Sequence, residues 1–318
     1  MSSPTDQRRR DEPVDPISDR SRPFPLPREQ RYPLDLAPTR PHLRAFFLET
    51  NGSMFDPEIE VPWDSFDRDA YEPATVDAAA LIWSMRAWSE FRAIAEHEAT
   101  LVRMCIETGR EADLKYALAA AATDHAGLAD ACRLVATAFG GYRRGPDHES
   151  SPVANHDVIR RALHAETDPD TFFVSRLIVV AGLDLAEWEA ALAWTDCPVA
   201  TTVLARGVRD KTRALTAAHE YLGPRLAELT DDDRVRLAAS IAAFLADDIP
   251  RAVVLSRPGS DMPSLLAAME STARAGLGDA PPDARIAAMA TAGRTTLERL
   301  ADLGLAVPAG CAPFLDPE

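Results

Sequence analysis

Residues 114 to 139 read LKYALAAAATDHAGLADACRLVATAF, and this stretch decides the fold. Alternating steps of three and four residues through it follow one apolar stripe, which a single histidine, His125, interrupts. The stripe comprises Leu114, Leu118, Ala121, Leu128, Cys132, Val135 and Phe139. The stretch therefore predicts an amphipathic helix that stops at Gly140 and Gly141 and points His125 toward the core.

Similar stripes predict helices along the rest of the chain from residue 73. The predicted helices cover about residues 75–108, 111–139, 167–194 with a break near Gly182, 196–221, 231–248, 261–276 and 282–303. The polar segment from Arg143 to Asn155 is long enough to cross over a bundle. Two helices, a crossover and two more helices predict an all-α, ferritin-like four-helix bundle over residues 73–223, with accessory helices over 230–303. We expect residues 46–318 to form this single domain.

The amino-acid composition of the chain argues against some classes of binding partner. With 34 Lys and Arg against 50 Asp and Glu, the formal charge is −16, which argues against nucleic acid because its phosphates would be repelled. No apolar run reaches the ~20 residues of a membrane span, so we expect a cytoplasmic protein with no membrane partner. The four cysteines form no CxxC pair and are expected to be reduced thiols. Residues 1–45, rich in proline and arginine, predict a disordered arm.

Charged residues interrupt the apolar stripes of two other predicted helices. Glu90 falls among Trp83, Ala87 and Ile94 of the first long helix, and Lys211 falls mid-stripe in the fourth. Taken singly, each such residue is more often a hydrogen-bonded core residue, or a lysine whose ammonium reaches the surface, than part of a site. Together, a carboxylate, an imidazole and an ammonium can neutralise one another inside a bundle. Asp124 and Glu96 lie beside the stripes.

Four segments of the chain resemble the ferritin-like di-iron oxygenases, including the N-oxygenase type that acts on amines. They read FRAIAEHEATL (91–101), LAAAATDHAGLADACRLV (118–135), FFVSRLIVVAGLDLAEWEAAL (172–192) and ARGVRDKTRALTAAHEYLG (205–223). The resemblance implies two irons, held by a Glu on the first and third helices and a Glu-x-x-His pair on the second and fourth. Glu90 matches the position on the first helix.

The other ligand positions depart from the family's pattern. The pair on the second helix falls on His125 and Leu128, and the pair on the fourth falls on Lys211 and Ala214. On the third helix Ala181 stands where the carboxylate is expected, with Asp184 one turn further on. The remaining ligands cannot supply two iron sites, so we expect no metal and no cofactor, with Lys211 taking over the charge of the iron.

These residues predict an enzyme that acts on a small molecule without a metal. Its predicted catalytic residues are Glu90, His125, Lys211 and Asp124, and its predicted substrate-binding residues are Glu96, Asp210 and Asp184. The replacement Lys211→Met is expected to leave the fold intact and to abolish activity. A register shifted by one residue would exchange Lys211 for Asp210. The family resemblance also makes a homodimer possible.

Two alternatives remain open on sequence alone. One is a di-iron oxygenase with iron as cofactor and non-standard ligands, drawn from Glu96, His97, Glu98, Asp124, Asp184, Asp210 and His219. The other is a non-catalytic subunit or scaffold that partners an active enzyme.

Overall fold

The computed structural model of the chain describes residues 40–107, 111–144, 168–255 and 262–308. Within these ranges every regular element is a helix and no strand occurs, which confirms the predicted all-α class. No helix in the same ranges is long and apolar enough to pass through a membrane.

The described residues form eight main helices. They are α1 (Pro41–Gly52), α2 (Pro73–Glu107), α3 (Ala112–Phe139), α4 (Pro169–Phe172, Phe173–Val180 and Ala181–Ala193 in succession), α5 (Pro198–Ala227), α6 (Asp231–Leu255), α7 (Met262–Arg274) and α8 (Pro282–Asp302). Short helical turns at Pro57–Glu60, Trp63–Ser65 and Arg68–Ala70 connect α1 to α2. The predicted starts of α2, α5 and α8 agree with these bounds because a proline occupies the first turn of each, where its missing N–H is not needed.

Helix α1 corrects the predicted extent of the N-terminal arm. It begins at Pro41, inside the range 1–45 that composition marks as disordered, and it buries Leu43 and Phe46. The carboxylate of Asp113 on α3 accepts a 2.8 Å hydrogen bond from the backbone N–H of Arg40, which anchors the start of the helix. Residues 1–39 and most of the predicted crossover lie outside the described residues.

The predicted end of α5 and the predicted break in α4 were wrong. Helix α5 continues through Gly223 and Pro224 to Ala227, although a proline removes one helical hydrogen bond. Burial of Leu226 and a 2.8 Å ion pair between Arg225 and Asp170 hold this last turn in place. The predicted break at Gly182 is also absent, because Gly182 instead lets α8 approach closely: an added Cβ would lie 3.2 Å from the hydroxyl of Thr296. The irregular part of α4 comes earlier, as wide π-type turns over Phe173–Val180.

Helices α2 to α5 surround two apolar clusters that lie one above the other. Helix α3 packs along α2 and against α5, and α5 packs against α4, whereas α2 and α4 make far fewer close contacts. One cluster contains Leu118, Ile178 and Leu222, and the other contains Trp83 and Phe139. Between the two clusters runs a layer of buried charged residues, and it holds the candidate site.

Candidate functional site

Lys211 lies at the centre of the charged layer. Its side chain projects from α5 and is only 6% exposed. The ammonium donates a 2.7 Å hydrogen bond to Glu90 Oε1 on α2 and a 2.6 Å bond to Asp184 Oδ2 on α4. Burial opposes the charge of Lys211, but Asp184 and Glu90 outweigh it and raise the pKa of the ammonium above its usual value. One internal lysine therefore connects three helices.

Glu90 joins this lysine to a histidine. The carboxylate is almost completely buried, and its second oxygen accepts a 2.6 Å hydrogen bond from Nδ1 of His125 on α3. Burial favours the neutral acid, but the charge of Lys211 and the hydrogen bonds from His125 and Lys211 outweigh it and lower the pKa of Glu90 to about 2. Glu90 is therefore ionised at neutral pH, and it fixes the proton of the imidazole on Nδ1.

Asp184 faces open space to a greater extent than Glu90. Its side chain is 37% exposed and lines the cavities described below, while that of Glu90 is 2% exposed. Burial raises the pKa of Asp184 more strongly than the neighbouring Lys211 lowers it. Two carboxylates thus share one ammonium, and of the two Asp184 takes up a proton more readily.

A second histidine stacks against the first. The rings of His97 and His125 have their centroids 4.8 Å apart and are tilted by 42°. Nδ1 of His97 donates to the carbonyl oxygen of Ala93 at 2.9 Å. Burial, aided by His125, lowers the pKa of His97 to about 3, so this imidazole is neutral at physiological pH. The two histidines thus differ: a carboxylate orients His125, and only a carbonyl orients His97.

Trp188 covers the ammonium from the α4 side. The ammonium of Lys211 lies 4.9 Å from the centre of the indole ring, a distance at which the negative face of the ring attracts a cation. Gly207, one helical turn before Lys211, makes room for this ring, because an added Cβ would overlap the ring carbons of Trp188. The glycine thereby positions the indole against the lysine.

A cavity of about 120 Å³ opens beside the charged residues, lined mainly by α2 and α4. His125, Asp184 and Glu90 lie in its wall. Further along the wall Glu96 accepts a 2.5 Å bond from Arg176 and lies 3.4 Å from Arg92. A concave space with a few converging polar groups is the usual form of a small-molecule site.

The structure separates the predicted site residues into two groups. Glu90, His125, Lys211 and Asp184 form one connected set, and Glu96 lines the same cavity. Asp124 was predicted to be catalytic and Asp210 to bind substrate. Both lie outside this set, and neither lines the cavity beside Lys211 or its smaller neighbour.

Asp124 and Asp210 belong to an arginine cluster on another face of α5. Arg213 donates to Asp124 and to Asp210, both at 3.0 Å, and Arg206 also bonds Asp210. Arg206 reaches the carbonyl oxygen of Ser53 at 2.7 Å, so the cluster ties α5 to the end of α1. Adjacent residues on a helix point in directions about 100° apart, which explains why Lys211 and Asp210 enter different networks.

Sequence reasoning did not single out several residues of the cavity wall. Arg176 is buried in the middle of the apolar run FFVSRLIVV, a position where a charge needs a partner, and this signal is visible in the sequence. Glu187 and Arg285 pair across the wall at 2.5 Å, but their helices are about a hundred residues apart in sequence and no local pattern connects them.

In the described ranges no group of three or more His, Cys, Asp or Glu side chains is arranged to hold a metal ion. Comparison with protein-family models, with curated proteins and with solved structures finds no match to this chain. Its function is therefore inferred from the geometry of its own residues.

Proposed function

We propose that this chain is a metal-independent enzyme that transfers protons on a small molecule, at a site inside a ferritin-like bundle formed by α2 to α5. The observation that carries the proposal is the Lys211 ammonium, which lies within 2.7 Å of both Glu90 and Asp184. His125, which Glu90 orients by a hydrogen bond, and an open cavity lie beside this ammonium.

The positions of the four residues support the ferritin-like part of the proposal. Glu90, His125, Asp184 and Lys211 come from α2, α3, α4 and α5, one from each long helix. Their side chains meet in one layer between two apolar clusters. Ferritin-like proteins build their metal sites in the same way, from inward-facing side chains on four helices.

The chemistry of the donors argues that a di-iron centre does not fit here. Each of the two carboxylates already gives one oxygen to the lysine, and Glu90 gives its other oxygen to His125. A divalent cation beside the Lys211 ammonium would be repelled by it. The lysine supplies the positive charge that these acids require, so a bound metal would have to displace it.

The four residues can take separate roles in acid–base catalysis. His125 uses Nδ1 to bond Glu90, which leaves Nε2 to accept a proton from a substrate atom in the cavity. The electron pair stays on the substrate. Asp184 faces the same cavity, and in its protonated form, which the upward shift of its pKa favours, it donates a proton at a second substrate atom. Lys211 and Glu90 hold the two ends in position by hydrogen bonds, and exchange with solvent in the cavity removes the proton from His125 and returns one to the partly exposed Asp184.

Deuterium exchange tests the proposal even though the substrate is not identified. Purified protein, stripped of metals with EDTA, is incubated in D₂O with a small-molecule extract of its host cells, and mass spectrometry identifies compounds that gain deuterium. We expect wild type to label at least one compound, and His125→Asn to label it about a hundredfold or more slowly. His219→Asn is the matched control, because His219 lies outside the cavity walls.

Two results would contradict the proposal. One is labelling that His125→Asn leaves unchanged. The other is a purified protein that carries close to two irons per chain and works only with them, which would instead support a di-iron oxygenase.

A further inference from the structure

A second cavity adjoins the first at the candidate site. It has a volume of about 50 Å³ and lies between α3, α4 and α5. Five residues line both cavities, namely His97, His125, Leu177, Ala181 and Asp184. The two spaces are therefore lobes on either side of the pair formed by His125 and Asp184, and we call them the apolar lobe (50 Å³) and the polar lobe (120 Å³).

Most of the wall of the apolar lobe consists of aliphatic and aromatic side chains. Apart from the shared residues and Lys211, it is lined by apolar residues that include Leu114, Leu118, Ala121, Phe173, Ala214 and Ala218. Alanine side chains end at Cβ, and the lobe lies in the space that larger side chains would fill. Apolar walls offer water few hydrogen-bond partners, whereas the transfer of an alkyl group from water into such a space lowers the free energy.

The polar lobe has a different lining. Apolar side chains such as Ile82 and Met85 form part of its wall, but Glu90, Asp184 and the pairs Arg176 with Glu96 and Arg285 with Glu187 also line it, so both signs of charge face the space. A group that enters this lobe must replace the hydrogen bonds of water with bonds to charged side chains. A polar group can form such bonds and an alkyl group cannot, so a polar group fits this lobe better than it fits the apolar lobe.

We propose that the ligand of this site is a small amphiphile, with a short alkyl group in the apolar lobe and a polar head in the polar lobe. This arrangement places the atoms between head and alkyl group beside His125 and Asp184. The volume limits the alkyl part: the lobe is well below the ~150 Å³ apolar cavity that accommodates benzene, so it accepts a short chain rather than a ring. The inference rests on the proposed function, because it names the substrate class for the same site.

Binding of two uncharged probes tests the inference. Acetamide and isobutyramide share a polar head and differ in the size of the alkyl group, and their dissociation constants can be measured by NMR titration of the full chain. Each methylene that leaves water for an apolar site improves affinity about fourfold. We therefore expect isobutyramide to bind at least about tenfold more tightly than acetamide.

Filling the apolar lobe should remove this preference. Ala214 lies in the wall of the lobe and is only partly buried, so Ala214→Leu fills the space with limited strain, and Ala121→Val is a second variant from the α3 side. Ala205→Leu is the control, because Ala205 is exposed on the same helix. We expect the affinity ratio to fall toward one in the two lobe variants and to persist in the control.

Equal binding of the two probes by wild type would overturn the inference, as would a ratio that Ala214→Leu and Ala121→Val leave unchanged. The titration involves no turnover, so it does not depend on the proton-transfer chemistry. A retained ratio together with deuterium labelling that survives His125→Asn would reject the proposed function alone.

Discussion

The ammonium of Lys211 donates a 2.7 Å hydrogen bond to Glu90 and so joins α5 to α2 through the interior of the bundle. Both side chains lie in the layer between the two apolar clusters, where an unpaired charge would be costly. Each residue therefore makes the burial of the other possible. This mutual dependence determines how substitutions in the layer should behave.

Lys211→Met should destabilise the protein at neutral pH. The sequence alone predicts an intact fold, but the structure shows that removal of the ammonium leaves both Glu90 and Asp184 without their shared cation. Breaking a buried ion pair in this way typically costs about 3–5 kcal/mol. Urea unfolding measures the difference. Lys115→Met is the matched control, since Lys115 is the only other lysine of the chain and lies partly exposed on α3. Equal stability of the two variants would contradict the internal pairing.

His97→Gln should weaken the acid sensitivity of the fold. The pKa of His97 is lowered to about 3 in the folded protein, from a usual value of 6.5. As pH falls from 6.5 toward 3, the unfolded chain gains a proton here that the folded chain does not, so wild type loses stability. Without His97 the dependence should be flatter by up to about 1.4 kcal/mol per pH unit. Unfolding free energies measured between about pH 6.5 and 4.5 test this. His219→Gln is the comparison variant: the pKa of His219 is also lowered, to about 4, so this variant should show a flatter pH dependence as well. A slope that His97→Gln does not change would show that His97 is not buried as a neutral ring.

Gly207→Ala should destabilise the protein, although alanine is normally the better helix residue by about 1 kcal/mol. The new methyl group would overlap the ring of Trp188 and push it away from Lys211. Overpacking of this kind costs about 1–3 kcal/mol. Thermal unfolding and tryptophan fluorescence report the change. Gly127→Ala on α3 should instead be neutral or stabilising, because its Cβ meets nothing closer than 3.9 Å. A stabilised Gly207→Ala would mean that Trp188 is not held at this position.

Asp210→Asn should reduce stability without exposing Lys211. The substitution leaves Arg206 with Asp124, and Arg213 with Asp124 and the exposed Glu49, at a cost of about 1–3 kcal/mol. The pairing of Lys211 with Glu90 belongs to a separate network and should persist. Urea unfolding measures the first effect, and the reactivity of Lys211 toward amine reagents measures the second. Increased reactivity of Lys211 would show that the two networks are coupled.

The helices from residue 73 onward and the inward direction of three polar side chains were predictable from the chain. His125, Glu90 and Lys211 each interrupt a regular apolar stripe, and a stripe fixes which side of a helix faces the core. The helix ends were less predictable. At Gly223 and Pro224 the local signal to stop is overridden by the buried Leu226 and the ion pair of Arg225, which are tertiary contacts.

The partners of the charged residues could not be predicted from the stripes. Asp124 and Asp184 both lie near the apolar face of a helix, yet only Asp184 reaches Lys211. The wide turns of Phe173–Val180 shift the angular position of every later residue of α4, and no pattern in the sequence marks them. The cavity likewise depends on how α2 and α4 pack around it, which helical periodicity does not encode.

Reductive methylation of lysines with ¹³C-formaldehyde, read by NMR, tests the internal position of Lys211 most directly. The chain contains two lysines, so the Lys115→Met and Lys211→Met variants assign both signals. We predict that in the native protein Lys115 becomes dimethylated while Lys211 stays unmodified, and that both react after unfolding. Modification of Lys211 as fast as that of Lys115 in the folded protein would contradict the buried ion pair and the proton-transfer site built on it.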